Sequence, residues 1–347
     1  MEGYSPQRDR ATMDDIRPPL KMERELMVGD GSQFGSPVGV AHGLLFVEGR
    51  RRLHALALDS GKEQWYFDMP GSFLSPAVAG NSVFVRAESG EDGYVFAVSA
   101  DAGLKLWQFK FPHVGSSYDN VGGHVTSPVV AGGLVLVGAS QSFRALNAES
   151  GVEAWVFDTE TPIASSATVA GDSVYFADFN RLYALDLKTG AEHWRFERGQ
   201  VSLLFAPVVI AHEIIITSQN TVYALSRHDG QVLWSKTIST EDLVPSAAAG
   251  DRVYIKSVKH LYALDRLTGE LAWTYQAPDF ISLPALAGGQ IYVITRAGGS
   301  SQLRALRLAD GQEIWQTAEA RLANAAPVVA GGQIYVRTID GSVLVYN

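Results

Sequence analysis

Short apolar stretches alternate with Gly-containing turns along most of the chain. Typical stretches are Ser173-Val-Tyr-Phe176 and Gln333-Ile-Tyr-Val336, which are rich in β-branched and aromatic residues. Turns such as Ala-Gly-Gly and Ala-Gly-Asp bound these stretches, and no apolar run approaches the roughly 18 residues of a membrane-spanning helix. The pattern therefore predicts many short strands joined by hairpins, without a transmembrane segment.

One hairpin recurs with constant internal spacing. An Ala is followed six residues later by a Gly and ten residues later by a Trp, and this spacing occurs seven times. Successive copies lie 39 to 48 residues apart, a period typical of four-stranded propeller blades or of helical pairs. The strand-like segments between the copies favour the propeller. The repeats use every tryptophan in the chain: Trp65, Trp107, Trp155, Trp194, Trp234, Trp273 and Trp315.

The ends of the chain predict how the ring closes. Each predicted blade has four strands, labelled A to D in chain order, and the recurring hairpin is formed by strands C and D. Eight sets of strands A, B and C can be counted, but only seven Trp-bearing D strands. Counting back the usual 12 residues from Pro37 reaches Glu25, so Lys21 to Val28 is predicted to supply the missing strand. We therefore predict an all-β fold, an eight-bladed β-propeller of four-stranded antiparallel blades, closed by an N-terminal strand that completes the last blade. Residues 21–347 form this single domain, and residues 1–20 are predicted to be a disordered tail.

The repeated residue types suit a structural role. A Trp gives each thin blade a large apolar contact, the Gly suits a turn with positive φ, and the Ala leaves room for a neighbour. We expect truncation of one buried Trp to cost about 3–5 kcal/mol. An aromatic binding cage is the less favoured alternative.

The motif Ala-Leu-Asp-x-x-Thr-Gly-x-x-x-Trp is complete at Ala184 to Trp194 and at Ala263 to Trp273. It resembles the tryptophan-docking repeat of the pyrroloquinoline-quinone-type propeller family, which includes the quinoprotein alcohol dehydrogenases and the BamB-type assembly lipoproteins. The dehydrogenases are longer and stack a vicinal disulfide on the quinone, whereas this chain has no cysteine and no clear match to their calcium ligands or catalytic Asp. The resemblance therefore implies a non-catalytic branch, and we predict no catalytic, cofactor-binding or metal-binding residues.

Departures from the repeat predict where a partner binds. The B–C loops of blades 2 and 7 are longer around residues 87–93 and 297–301, and the connection after Trp107 is extended over residues 111–124. These connections emerge on one face of an up-and-down blade, although neutral variation in loop length remains an alternative. The predicted binding residues on this face are His113, Tyr118, Asp119, Asn120, His124, Glu91, Asp92, Arg51, Arg52, Arg144 and Arg181.

Charge narrows the choice of partner. The formal net charge of -9 argues against nucleic acid, while the arginines on the variable face favour an acidic partner or an anionic ligand. Solvated turn residues are the alternative explanation of these arginines. Met1 to Leu20 lacks the apolar core of a signal peptide, and the absence of cysteine is compatible with any compartment, so localisation stays open.

We expect a monomeric, non-catalytic scaffold that binds a protein segment on the variable face, for example by strand addition. The alternative is a propeller that binds a small molecule or quinone cofactor in its axial funnel, as a relative of the oxidoreductases would. The predicted inner strands, such as Pro76-Ala-Val-Ala79 and Pro327-Val-Val-Ala330, offer few polar groups for such a site.

Overall fold

The computed structural model describes residues 12, 14–28, 37–73, 75–90, 92–112, 126–197, 205–318 and 320–347. Within these ranges the chain forms eight antiparallel sheets, which are the eight blades of the predicted propeller. No helix in the described part of the chain is long and apolar enough to cross a membrane.

The strands follow one another in the order A, B, C and D within each blade. β1 (Met22–Leu26) precedes blade 1, which contains β2 (Gly39–Ala41), β3 (Leu44–Glu48), β4 (Arg52–Ala57) and β5 (Glu63–Asp68). The next strands are β6 (Ser72–Phe73), then β7 (Ala77–Ala79), β8 (Ser82–Ser89), β9 (Asp92–Ser99) and β10 (Lys105–Pro112) of blade 2. Blade 3 contains β11 (Val129–Ala131), β12 (Leu134–Ala139), β13 (Ser142–Asn147) and β14 (Glu153–Asp158). Blade 4 contains β15 (Thr168–Ala170), β16 (Ser173–Ala177), β17 (Arg181–Asp186) and β18 (Glu192–Glu197).

The second half repeats this arrangement. Blade 5 contains β19 (Val208–Ile210), β20 (Glu213–Ser218), β21 (Thr221–Ser226) and β22 (Val232–Thr237). Blade 6 contains β23 (Val244–Ala249), β24 (Arg252–Lys256), β25 (His260–Asp265) and β26 (Leu271–Gln276). Blade 7 contains β27 (Ala285–Ala287), β28 (Gln290–Ala297), β29 (Ser300–Arg307) and β30 (Glu313–Gln316). Blade 8 contains β31 (Val328–Ala330), β32 (Gln333–Arg337) and β33 (Val343–Tyr346).

β1 completes blade 8, as the sequence predicts. The strand order of this sheet is β1-β33-β32-β31, and Lys21 and Asn347 exchange backbone hydrogen bonds of 2.9 and 3.2 Å. The register corrects the sequence-based count by one residue. Arg24, not Glu25, stands opposite Val345 at the position of a Trp, and its guanidinium donates to the Asp59 carbonyl of blade 1 at 3.2 Å.

Each Trp joins its blade to the next one. In six cases the indole N–H donates to a carbonyl in the C–D turn of the following blade, at 2.8–3.3 Å. The ring then lies on the turn Gly of that blade, where an added Cβ would come within 2.5–2.7 Å of ring atoms. The hydrophobic core is correspondingly divided into eight clusters, each formed by residues of two adjacent blades.

The N-terminal segment packs against blade 7. The amide of Thr12 donates to the Leu286 carbonyl at 3.0 Å, and the Tyr292 hydroxyl donates to the Ile16 carbonyl at 2.8 Å. Ile16 and Leu20 are buried in the cluster between blades 7 and 8. These contacts fall inside the range predicted to be a disordered tail, of which residues 1–11 and 13 lie outside the described residues. The boundary of the domain at residue 21 stays a prediction.

Candidate functional site on the loop face

The ends of the blades that carry the B–C and D–A connections form one face of the ring, here called the loop face. The sequence predicts long B–C loops on this face in blades 2 and 7. In both blades the extra residues instead lengthen the hairpin: β8, β9, β28 and β29 have eight residues each, whereas the B strands of the other blades have five or six. Two or three more residues in a strand extend it by about 7–10 Å. The loop face therefore carries two raised hairpins.

The raised hairpin of blade 2 is part of a wide sheet. β6 pairs with Ala87 and Glu88 on one side, and β10 continues along Asp92 and Gly93 on the other. The Phe111 ring covers Gly93 so closely that an added Cβ would lie 2.0 Å from it. Arg86 is buried beside this ring, 5.6 Å from its centroid. The backbone pairing on both sides and the packing of Phe111 on Gly93 support the raised hairpin.

The raised hairpin of blade 7 is supported from both sides as well. Phe280 forms a bridge with Thr295 before the hairpin, and Ala320 forms one with Ser301 after it. Ser301 is buried, and its hydroxyl accepts from the Leu322 amide at 2.7 Å. The residues around 297–301, predicted to be a loop, are thus strand residues and a tight turn that anchor the connection to blade 8.

Three of the four predicted arginines on this face are paired within or next to their own blade. Arg52 contacts Asp68 at 2.6 Å and lies over the Tyr66 ring at 4.3 Å. Arg144 pairs with Glu153 at 2.5 Å. Arg181 contacts Glu197 at 2.9 Å and Glu160 at 2.7 Å, contacts that raise its pKa and lower the pKa of Glu197. These pairs largely neutralise the basic excess that the sequence suggests. Arg51 is exposed in the B–C turn of blade 1 with a φ of 64°.

Six of the predicted binding residues lie outside the described residues. These are His113, Tyr118, Asp119, Asn120, His124 and Glu91, which stay predictions. Asp92 is described. It contacts Lys110 of β10 at 2.8 Å, and this hydrogen-bonded cation lowers the pKa of the Asp92 carboxyl.

The sequence reasoning missed three cations at the loop-face ends of B strands. Arg86 donates to the Gly138 carbonyl of blade 3 at 2.6 Å, Lys256 to the Phe280 carbonyl at 3.2 Å and Arg337 to the Glu48 carbonyl at 3.1 Å. Burial lowers the pKa of both Arg86 and Lys256. Each side chain ties its blade to the next one. Their shared place, the fifth residue of strand B, is the signal that could have identified them.

The strands around the ring axis are mostly small and apolar. They include Ala77–Ala79, Val129–Ala131 and Val328–Ala330, and most of their residues are buried. Within the described ranges, no group of three or more His, Asp or Glu side chains is placed to hold a metal ion.

Comparison with known proteins identifies the family. The family described as outer membrane protein assembly factor BamB matches residues 11–140, 116–275 and 259–347. One relative, outer membrane protein assembly factor BamB of Yersinia pestis, is 27% identical over 259 residues, which is 66% of this chain. The chain spans 62% of the length of that relative.

Two solved structures show the same fold. BamB from Moraxella catarrhalis has a TM-score of 0.74 at 18% identity, covering 95% of this chain and 98% of that one. The quinohemoprotein alcohol dehydrogenase of Comamonas testosteroni also has a TM-score of 0.74, at 13% identity, covering 97% of this chain and 78% of that one. At these identities the likeness is one of fold. The match of the family over three overlapping ranges goes further: the chain belongs to the BamB family of pyrroloquinoline-quinone-type β-propellers.

Proposed function

We propose that the chain is a non-catalytic scaffold that binds a protein partner on its loop face during assembly of outer membrane proteins. The family match and the name of the Yersinia pestis relative support the assembly role. The observation that carries the binding face is the pair of raised hairpins in blades 2 and 7.

The raised part of blade 2 is suited to strand addition. Among the D strands within the described residues β10 is the longest, with eight residues, and it lies at the outer edge of its sheet. An edge strand exposes backbone N–H and C=O groups that an extended segment of another protein can pair with. The rigid hairpin beside it lowers the entropic cost of ordering the site upon binding.

Site-specific photo-crosslinking tests the proposed face. A photoreactive residue is introduced at Ser89 and at Ser300, at the tips of the two hairpins, and as a matched control at Thr268 in a C–D turn of the opposite face. In the organism that encodes the chain, we expect the two tips, but not Thr268, to crosslink to a component of the outer membrane assembly machinery. Crosslinks that form only at Thr268 would refute the loop face as the binding surface.

Loss of outer membrane assembly provides the second test. A chain whose blade 2 hairpin is shortened to the length found in blade 1 should fold but fail to restore outer membrane protein levels in a strain that lacks the gene. If the shortened chain restores those levels fully, the raised hairpin does not carry the function.

The likeness to a quinohemoprotein alcohol dehydrogenase motivates an alternative, a quinone-binding propeller. The small apolar strands at the axis favour the scaffold instead. Titration with pyrroloquinoline quinone and Ca²⁺ distinguishes the two functions. We expect no change in Tm, whereas saturable stabilisation at micromolar quinone would support the alternative.

A further inference from the structure

A cleft with a volume of 690 Å³ lies between blades 4 and 5, on the face opposite the loop face. Its walls carry three histidines from three different elements: His193 from β18, His212 from the A–B turn of blade 5 and His228 from the C–D turn of blade 5. The cleft is also lined by Arg227, Trp194 and Tyr175. The volume falls within the range of about 300–1,000 Å³ that is typical of small-molecule sites.

The hydrogen-bonding groups of the cleft are accessible. All three imidazoles are exposed, and none has a hydrogen-bond partner in the described part of the chain. The Arg227 guanidinium uses one nitrogen to donate to the Ala211 carbonyl at 2.9 Å, which orients the group without using its other donors. The cleft therefore offers hydrogen-bond donors on opposite walls.

The imidazoles are spread over the cleft and do not converge on one point. Within the described residues they form no cluster that could hold a metal ion. An anion with a single charged group could reach only part of such a wall. A ligand with several anionic groups could contact blade 4 and blade 5 at the same time.

The acidic side chains around the cleft have other roles. Asp186, near His193, accepts hydrogen bonds from the backbone and side chain of Thr189. Asp229, near His228, accepts from the Gln231 amide at 3.2 Å. Glu213, beside His212, is buried and pairs with Arg266 at 2.6 Å. Two further charged residues of blade 4 are exposed: Asp172, which precedes the lining residue Ser173, and Lys188 in the C–D turn.

The net charge of a cleft that is lined by histidines depends on the pH. Imidazole is the side chain whose ordinary charge change falls between pH 5 and 8. A guanidinium stays positively charged throughout this range, so a lower pH adds positive charge to a cleft that is lined by an arginine and by imidazoles. We propose that the cleft binds a multiply charged anion of the carboxylate or phosphate class, and that binding strengthens as the pH falls from 8 to 6.

Calorimetric titration of the full chain tests this site with citrate and pyrophosphate as separate probes. At low ionic strength we expect saturable binding at pH 6 that is at least about tenfold tighter than at pH 8. Binding of citrate alone identifies a carboxylate ligand, binding of pyrophosphate alone a phosphate ligand, and binding of both the shared chemistry. Absence of binding at pH 6, or equal affinity at both pH values, would overturn the proposal.

Variants locate the site. The exchanges H212N, H228N and R227Q should each weaken binding at pH 6 by about fivefold to tenfold, because each removes a charge-assisted hydrogen bond. H42N is the matched control: His42 occupies the A–B turn of blade 1, on the same face but away from the cleft. If H42N weakens binding as much as the cleft variants, the anion binds elsewhere. Because this cleft lies opposite the loop face, its test and the crosslinking test above can fail independently.

Discussion

A single glycine in each C–D turn decides how closely two blades approach. Gly190 has a φ of 70°, and an added Cβ would lie 2.6 Å from the Trp155 ring. That ring also donates its N–H to the Leu187 carbonyl at 3.0 Å. Glycine is thus required twice at this position, for its backbone conformation and for the space above it.

Two glycine exchanges separate these requirements. Gly171 has a φ of 59° but open space around its missing side chain, so G171A should cost about 1–2 kcal/mol from backbone strain alone. G190A adds a clash with Trp155 and should cost about 1–3 kcal/mol more. Urea unfolding of both variants measures the difference. Equal destabilisation would show that Trp155 can move aside freely.

The Asp of the repeat holds the same turn through its side chain. Asp265 accepts hydrogen bonds from the amides of Thr268 and Leu267, at 2.9 and 3.0 Å, and chiefly the Thr268 amide holds its pKa below the usual range. In blade 3 a neutral Asn147 makes the equivalent bonds. The turn therefore requires a side-chain oxygen that accepts these hydrogen bonds, and the negative charge of an Asp strengthens them.

This arrangement predicts a pH dependence for Asp265. Because its folded-state pKa is lowered, its contribution to stability is fully present above the unfolded pKa of about 3.9 and is lost as the pH falls through the folded-state pKa. D265N should therefore be slightly less stable than the wild type at pH 7, and the difference should narrow as the pH falls below the unfolded pKa of about 3.9. Thermal unfolding between pH 7 and pH 2.5 measures this, with D101N at an exposed turn position as the control. A difference that does not narrow between pH 7 and pH 2.5 would mean that charge is not the cause.

At the scale of elements, local spacing in the sequence predicts the strands well, but it predicts poorly which side chains pair across them. The period predicts the eight blades because each hairpin depends on residues close together in the chain, and the count of strands, with one D strand missing, predicts that β1 completes blade 8. Four ion pairs have one of two constant spacings in the sequence. The partners in Arg52–Asp68 and Arg181–Glu197 are 16 residues apart, and those in Arg144–Glu153 and Arg304–Glu313 are nine residues apart. These are cross-strand neighbours in the C–D hairpin.

The raised hairpin of blade 2 yields a prediction at the same scale. G93A should displace the Phe111 ring and cost about 1–3 kcal/mol, with faster hydrogen exchange at the hairpin tip. Gly299 in the blade 7 hairpin is the matched control, since an added Cβ there meets nothing within 4 Å. G299A should stay within about 0.5 kcal/mol of the wild type. If G93A behaves like G299A, Phe111 does not support the hairpin.

At the scale of the whole molecule, the ring brings together residues that no local pattern connects. His193, His212 and His228 line one cleft because blade 5 packs on blade 4, although they are scattered in the sequence. Ile16 is buried against blade 7 for a similar reason. Between other blades, a backbone carbonyl of the C–D turn accepts hydrogen bonds from the preceding blade, as the Leu308 carbonyl does from Tyr254 and Trp273. Between blades 7 and 8, the Ile16 carbonyl takes this place and accepts from the Tyr292 hydroxyl.

Truncation measures these long-range contacts. Removal of residues 1–11 should leave the Tm nearly unchanged. Removal of residues 1–17 should lower it by several degrees through loss of the Ile16 contacts, and removal of residues 1–26 should lower it most, because blade 8 loses β1. Calorimetry of the three chains gives the order. Similar Tm values for all three would refute closure by β1.

Closure by β1 also has a consequence for synthesis. β1 is made before every other described strand and β33 after them, and side chains that meet in blade 8, such as Glu23 and Gln333, are 310 residues apart. The entropic cost of closing a loop grows only slowly with its length, so this long separation lowers the stability of the finished ring only slightly. The nascent chain is different, since β1 has no β33 to pair with until translation passes Tyr346. A ribosome that stops early therefore releases an open array of blades whose unpaired edges can pair with other chains.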